Sequence, residues 1–274
     1  MDVLSSLNND RIKTVKKLLS SPKERKYSGK YVVENRRMVR EIPLDDLDEM
    51  FFTQHFYDKY VVSDKRLKHM IAYAEKKDKC FIVTDEVFGS MCDTDTPQGI
   101  VATVKIRKRE LKDLLGTPGE KPFILIVERL QDPGNLGTLI RTAEGAGVTG
   151  ILISYDSADI YNPKVVRSTM GSIFRKKIVV SYDLIGDVEK LKQKKIKIFG
   201  MHLDGSSMYE TDLTGAVAFL IGNEGAGLTP ELCDKADKLI RIPMKGEVES
   251  LNAAISASLI SYETMRQRSG ITFF

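Results

Sequence analysis

Downstream of Pro122 the chain carries six short, almost uninterrupted apolar runs, at 123–127, 150–154, 177–180, 197–200, 217–221 and 239–242. A strand with one wet face alternates apolar and polar residues. Runs this continuous, separated by stretches of helical period, predict an α/β fold whose parallel sheet is covered on both faces. Such sheets bind ligands beyond the carboxyl ends of their strands, so the segments that directly follow the runs are where chemistry is to be sought.

Upstream, the pattern is that of a smaller alternating α/β unit. Residues 11–19 read as a helix with Ile12, Val15, Leu18 and Leu19 on one side, capped by Asn9 or Asp10. Strands follow at 31–34, 50–53, 80–83 and 100–104, with helices at 37–40 and 63–74 between them. LLGTPGEKP (114–122), with its prolines and glycines, marks the boundary between a domain at 1–106 with a linker at 107–121 and a second domain at 122–274. The first 40 residues hold eleven Lys/Arg against four acids, whereas the whole chain is only +4. That basic surface fits a polyanion whose phosphates release counterions, and fits a solvated helix face equally well.

Composition excludes several classes. Cys80, Cys92 and Cys233 have no CxxC spacing, and His55, His69 and His202 form no ligand cluster with them, so neither a metal site nor structural disulfides are expected. The opening residues lack the apolar core of a signal peptide, and no run of about 18 apolar residues could cross a bilayer. A cytoplasmic protein without membrane contact is expected.

Three polar, glycine-bearing blocks follow the strands. In ERLQDPGNLGTLIRTAEGAG (128–147), residues 132–135 form a turn, Asn135 is suited to cap the next helix, and Leu136, Leu139, Ile140 and Ala143 make its core stripe. Arg141 lies about 140° around that helix from Leu136 and leaves the stripe, for a cleft or for plain solvent. IGNEGAGL (221–228) spaces its glycines GxxGxG, unlike the GxGxxG dinucleotide fingerprint, and places Glu224 where it would repel a pyrophosphate. This loop suits backbone contacts to a polar ligand that is not a polyanion, with Glu224 available for a cation or hydroxyl; a tight turn with a solvated glutamate is the bland alternative. Thr229 caps a helix that begins at Pro230. In IPMKGEVESLNAAISAS (242–258) a strand ends at Ile242 and Pro243, Ser250 can cap the following helix, and Asn252 points an amide back toward the loop. The small residues after it permit close approach of another surface, from the same chain or a second one.

In this order the blocks resemble the three signature motifs of the SpoU/TrmH family of RNA 2′-O-ribose methyltransferases, in the SPOUT class, over residues 123–266. Residues 1–106 more weakly resemble the L30e-like substrate-binding domain that many members carry, with Asn35 in KYVVEN at a position where glycine is commoner. The resemblance implies a catalytic domain with a deep trefoil knot, a homodimer, and S-adenosylmethionine held by Leu203, Gly222, Asn223, Gly225, Ile242, Pro243, Met244, Leu251 and Asn252. It further implies that Arg141 acts on the ribose hydroxyl while Asn135, Glu224, Ser250 and Asn252 orient the reacting groups, with no metal. RNA is the implied substrate, ribosomal rather than transfer RNA. The alternative is a non-catalytic RNA-binding or ribosome-assembly protein that keeps the fold. An unrelated nucleotide-cofactor enzyme is disfavoured by the glycine spacing.

Overall fold

The computed structural model of the protein describes residues 1–247 and 250–270. The chain divides into two compact units, one of residues 1–108 with 159–174, the other of 109–158 with the chain from 175 onward.

In the first unit, strands β1 (Asp2–Leu4), β2 (Lys30–Glu34), β3 (Leu47–Thr53), β4 (Cys80–Val83) and β5 (Ile100–Lys105) form a sheet in the order β1-β4-β3-β5-β2. β4 runs parallel to β1 and β3, whereas β5 is antiparallel to β2 and β3. Helix α1 (Asp10–Ser20) is capped by Asn9, whose side chain accepts the Arg11 N–H, and buries Ile12, Val15 and Leu18 with Phe51, Phe81 and Val101. Helices α2 (Pro22–Ser28), α3 (Arg36–Glu41) and α4 (Lys65–Glu75) complete the layers. Asn35 caps α3 at φ +82° and ψ 130°, a positive-φ conformation that favours glycine. The short edge strand β1 has too few residues to show a period, and the sequence pattern does not reveal it.

Residues 159–174 are expected from the sequence in the second domain, yet they pack with the first unit. Val166, Ile173 and Phe174 join its core, and the Tyr161 ring lies 4.7 Å from that of Tyr31. Arg25, only 2% exposed, donates to Asp159 at 2.8 Å, and Arg167 pairs with Asp93 at 2.7 Å. A local pattern cannot reveal such an excursion, because its apolar residues look alike whichever core receives them.

In the second unit, β6 (Phe123–Val127), β7 (Gly150–Ser154), β8 (Ile178–Ser181), β9 (Lys197–Ser207), β10 (Val217–Ile221) and β11 (Lys238–Arg241) run in the order β11-β9-β10-β6-β7-β8. Every adjacent pair is parallel. Ile124, Ile126, Leu152 and Leu220 pack with Val188 and Leu191 of α6 (Leu184–Gln193). The expected stripe Leu136, Leu139, Ile140 and Ala143 of α5 (Pro133–Gly145) is fully buried, about 1.5–3 kcal/mol for each leucine or isoleucine. Helix α7 (Ala253–Ser269) packs on α5, where the Ser258 hydroxyl donates to that of Thr142 at 3.1 Å. β9 is longer than its apolar run suggests. Consecutive Leu239 and Ile240 of β11 face Gly200 and Ser206, so residues 201–205 are extruded between two stretches of regular pairing.

Candidate functional site

The three blocks meet at the carboxyl edge of the parallel sheet. Asp132, rather than Asn135, caps α5, accepting the Asn135 N–H at 2.7 Å with Pro133 at the first helical position. The Asn135 side chain is thereby released. Its amide donates to Glu224 Oε1 at 3.2 Å, and its carbonyl accepts the Asn252 amide at 2.8 Å. Asn252, rather than Ser250, caps α7, receiving the N–H groups of Ala254 and Ile255. In both cases the residue that caps is the one whose backbone leaves the helix, and a neighbouring polar residue of capping type does not by itself mark that position.

Glu224 joins the first two blocks. Its carboxylate accepts the backbone N–H groups of Asp132 at 3.0 Å and Gln131 at 3.2 Å, together with the amides of Asn135 and Asn223. Burial pushes this carboxyl up, but the N–H groups of Asp132, of Glu224 itself and of Gln131, with the Asn135 amide, outweigh burial and hold it below the usual glutamate value. It is a carboxylate at neutral pH, and its acceptor sites face inward as a clasp instead of standing open to a ligand.

The glycine loop closes on itself. Asn223 and Gly227 exchange two backbone hydrogen bonds of 3.0 Å, and Asn223 Oδ1 accepts the N–H groups of Gly225 and Ala226. Gly222 has no room for a side chain, since a Cβ would lie 2.2 Å from the Gly227 carbonyl carbon and 2.3 Å from the Leu228 nitrogen. Thr229 stands at the cap position of the helix Pro230–Cys233 as expected, but its side chain caps nothing there: its hydroxyl and N–H both donate to buried Glu128, which the sequence alone does not single out.

Beside the loop is a cleft of about 300 Å³, within the range that holds small ligands. Leu203, from the bulged stretch of β9, shares its walls with Gly222, Asn223, Glu224, Gly225, Ile242, Met244, Ser250 and Leu251. Pro243, Asn252 and Asn135 are not in the walls; the two asparagines reach the cleft through Glu224. Val248 and Glu249 of the third motif lie outside the described residues. Arg141 is exposed on α5, is not in the walls, and makes no hydrogen bond or ion pair with another described residue. The chain thus assembles a ligand cleft and a polar clasp but leaves its candidate arginine outside them. An amphipathic ligand fits: the walls are apolar at Leu203, Ile242, Met244 and Leu251, and polar backbone lines the glycine loop. Among the described residues no cluster of His, Cys, Asp and Glu could hold a metal, and no helix is long and apolar enough to cross a membrane.

Residues 122–262 match the SpoU rRNA Methylase family, and residues 9–102 match an MRM3-like substrate binding domain. The chain belongs to the SpoU rRNA methylase family. It is 30% identical to the 23S rRNA (guanosine(2553)-2′-O)-methyltransferase RlmP of Bacillus subtilis, over 96% of this chain and 98% of that protein. The AdoMet-bound rRNA methyltransferase of Sinorhizobium meliloti superposes with a TM-score of 0.83 at 28% identity, over 97% of each chain. AviRb of Streptomyces viridochromogenes, a SpoU methyltransferase solved with AdoMet, gives 0.80 at 26% identity over 96% of this chain and all of its own. Each of these three matches extends over 96–97% of this chain.

Proposed function

We propose that this protein transfers a methyl group from S-adenosylmethionine to the 2′-hydroxyl of a ribose in RNA, ribosomal rather than transfer RNA, and works as a homodimer in the cytoplasm. The observation that carries the reading is the cleft of Leu203, Gly222, Ile242, Met244 and Leu251 next to the Glu224–Asn135–Asn252 chain, with Arg141 unengaged nearby in sequence but outside the walls. The RNA methyltransferase relatives, two of them solved with AdoMet, support the cofactor and the substrate class. The trefoil knot of the class is part of this proposal.

When bound, S-adenosylmethionine supplies an electrophilic methyl group on a sulfonium. The backbone around Gly222, Ile242 and Leu251 would hold it, with Asn223, Gly225, Met244 and Leu203 around it. On the substrate side the hydroxyl must lose its proton as its oxygen becomes nucleophilic. Arg141 of the partner subunit acts at that oxygen; a guanidinium is a poor proton acceptor, so pairing with the developing alkoxide is the less demanding role. Ser250, Asn135 and Asn252 orient the ribose or its phosphate, and Glu224 fixes Asn135 and, through it, Asn252. The dimer draws support from Ile255, Leu259 and Tyr262, which leave a half-exposed stripe at i, i+4 and i+7 on α7.

Incubation with labelled S-adenosylmethionine and ribosomal RNA from cells lacking the gene, followed by mapping of 2′-O-methyl riboses, is the test. One mapped site that disappears with Arg141→Ala is the expected result; absence of any transfer refutes the reading. Calorimetry separates it from a binding-only protein, which gives no heat with S-adenosylmethionine.

A further inference from the structure

The carboxyl edge of the parallel sheet carries side chains that the cleft does not use. Across the neighbouring strands β10, β6, β7 and β8, the chain leaves the sheet at Gly222, at Glu128 and Arg129, at Tyr155 and at Tyr182. Tyr155 and Tyr182 stack with ring centroids 5.7 Å apart and planes 20° apart, yet remain 63% and 67% exposed. Two large rings held together in water at the ends of adjacent strands contribute little to a core; they are a prepared surface for another flat ring.

Arg129 has φ +52°, a left-handed conformation that so bulky a residue rarely adopts. The backbone there is held from both sides, by the Arg129 N–H donating to Ser154 Oγ at 2.9 Å and its carbonyl accepting the Asn223 amide at 2.8 Å. Its Nε is buried without a hydrogen-bond partner, and the Glu128 carboxylate 3.8 Å away is already engaged by Thr229. Strain of this kind points to function when the surroundings enforce it. A cation with unused donors is thus fixed between the glycine loop and the tyrosine pair.

We infer that Arg129, Tyr155 and Tyr182 form the track for the single-stranded RNA that adjoins the target ribose, the arginine meeting a phosphate and the tyrosines the faces of bases. This rests on the proposed methyltransferase reading and names how that site takes its substrate. The three strand spacings from β10 to β8 amount to about 14 Å, enough for a few nucleotides laid across the edge. Stacking on exposed aromatics beside a cation is how single strands are held without regard to sequence. The carboxylates near the rings do not oppose this arrangement. Asp183 caps α6 through the Gly186 N–H, and Asp187 accepts from Ser181 and Lys190. Asp156 leaves one exposed carboxylate beside Tyr155, which suits that end to base faces and leaves phosphate contact to Arg129.

The test is filter binding of, and methyl transfer to, ribosomal RNA from cells lacking the gene, with calorimetry of S-adenosylmethionine on each variant. Tyr155→Ala combined with Tyr182→Ala should weaken RNA binding roughly ten- to a hundredfold and raise the RNA KM in step, with cofactor affinity unchanged. The matching pair of phenylalanine substitutions keeps the ring faces and should bind within threefold of wild type. Arg129→Gly suits the left-handed backbone, so it should fold. It should lower the slope of log affinity against log salt by about 0.7, the loss of one single-strand phosphate contact. Alanine variants that bind RNA within twofold of wild type, or that lose S-adenosylmethionine affinity to the same degree as RNA, overturn the track. A wild-type protein that binds RNA but transfers no methyl group refutes the methyltransferase reading instead, and binding by the variants still decides the track.

Discussion

Replacing Glu224 by glutamine tests whether the site is held together by one carboxylate. In the structure two oxygens take four donors from other residues: the Asp132 N–H and Asn135 amide on one, the Gln131 N–H and Asn223 amide on the other. Glutamine keeps one acceptor oxygen and turns an NH2 toward the remaining pair of donors, so two hydrogen bonds are lost and the survivors lose their charge assistance. Hydrogen bonds to a charged group are worth about 1.5–3 kcal/mol when buried; here the carboxyl is half-buried and water can enter, so about 2 kcal/mol in total is expected. The consequence should be functional before it is structural, because Asn135 is the only link between Glu224 and Asn252 among the hydrogen bonds of the described residues. Methyl transfer to RNA should fall ten- to a hundredfold, as expected for misplacing an orienting network by a fraction of an ångström, while S-adenosylmethionine affinity changes by less than tenfold. The pH dependence follows from the same clasp. The folded-state pKa lies below that of the unfolded chain, so its stabilisation is fully present above the ordinary glutamate value and is lost as pH falls through the depressed one. The difference in stability between wild type and Glu224→Gln, measured by chemical denaturation, should therefore shrink toward zero in acid and be constant from pH 6 to 8. A variant with wild-type turnover and the same denaturation midpoint at pH 7 would refute the clasp.

Gly222→Ala places a methyl group against backbone at Gly227 and Leu228 that cannot yield without parting the Asn223–Gly227 pair. Calorimetry should show S-adenosylmethionine binding weakened by about 2–3 kcal/mol, and a variant within threefold of wild type disproves the close approach. Arg141→Ala removes no described hydrogen bond, so thermal denaturation should shift by less than about 0.5 kcal/mol while methyl transfer is lost; a strongly destabilised variant contradicts the exposed placement. Asp159→Ala removes the carboxylate paired with buried Arg25, which keeps only the Leu18 and Leu19 carbonyls, and should cost about 2 kcal/mol in denaturant unfolding, whereas a loss under 0.5 kcal/mol refutes the docking of 159–174 on the first unit.

How far these features are legible in the sequence follows from the range of the interaction that fixes each one. Runs such as FILIV at 123–127, GILIS at 150–154 and VAFLI at 217–221 coincide with β6, β7 and β10, because burial on both faces writes itself into every residue of a strand. The α5 stripe is equally local. The caps are readable only in part: Asp-Pro at 132–133 already carries the signal of a cap followed by a first-turn proline, and it outranks Asn135 once both are weighed. Leu203 can be placed only by knowing that β11 skips from Gly200 to Ser206, and Glu128 only by knowing that Thr229 lies over it, 101 residues further on. Such pairings leave no period. The same holds for Arg129, whose significance lies in a left-handed backbone set by Ser154 at the end of β7 and Asn223 in the glycine loop. Local pattern therefore finds the loops that carry chemistry, whereas the polar partners that fix those loops come from contacts between distant segments. Substitutions at Glu224, Glu128 and Arg129 consequently probe what the motifs by themselves leave undetermined.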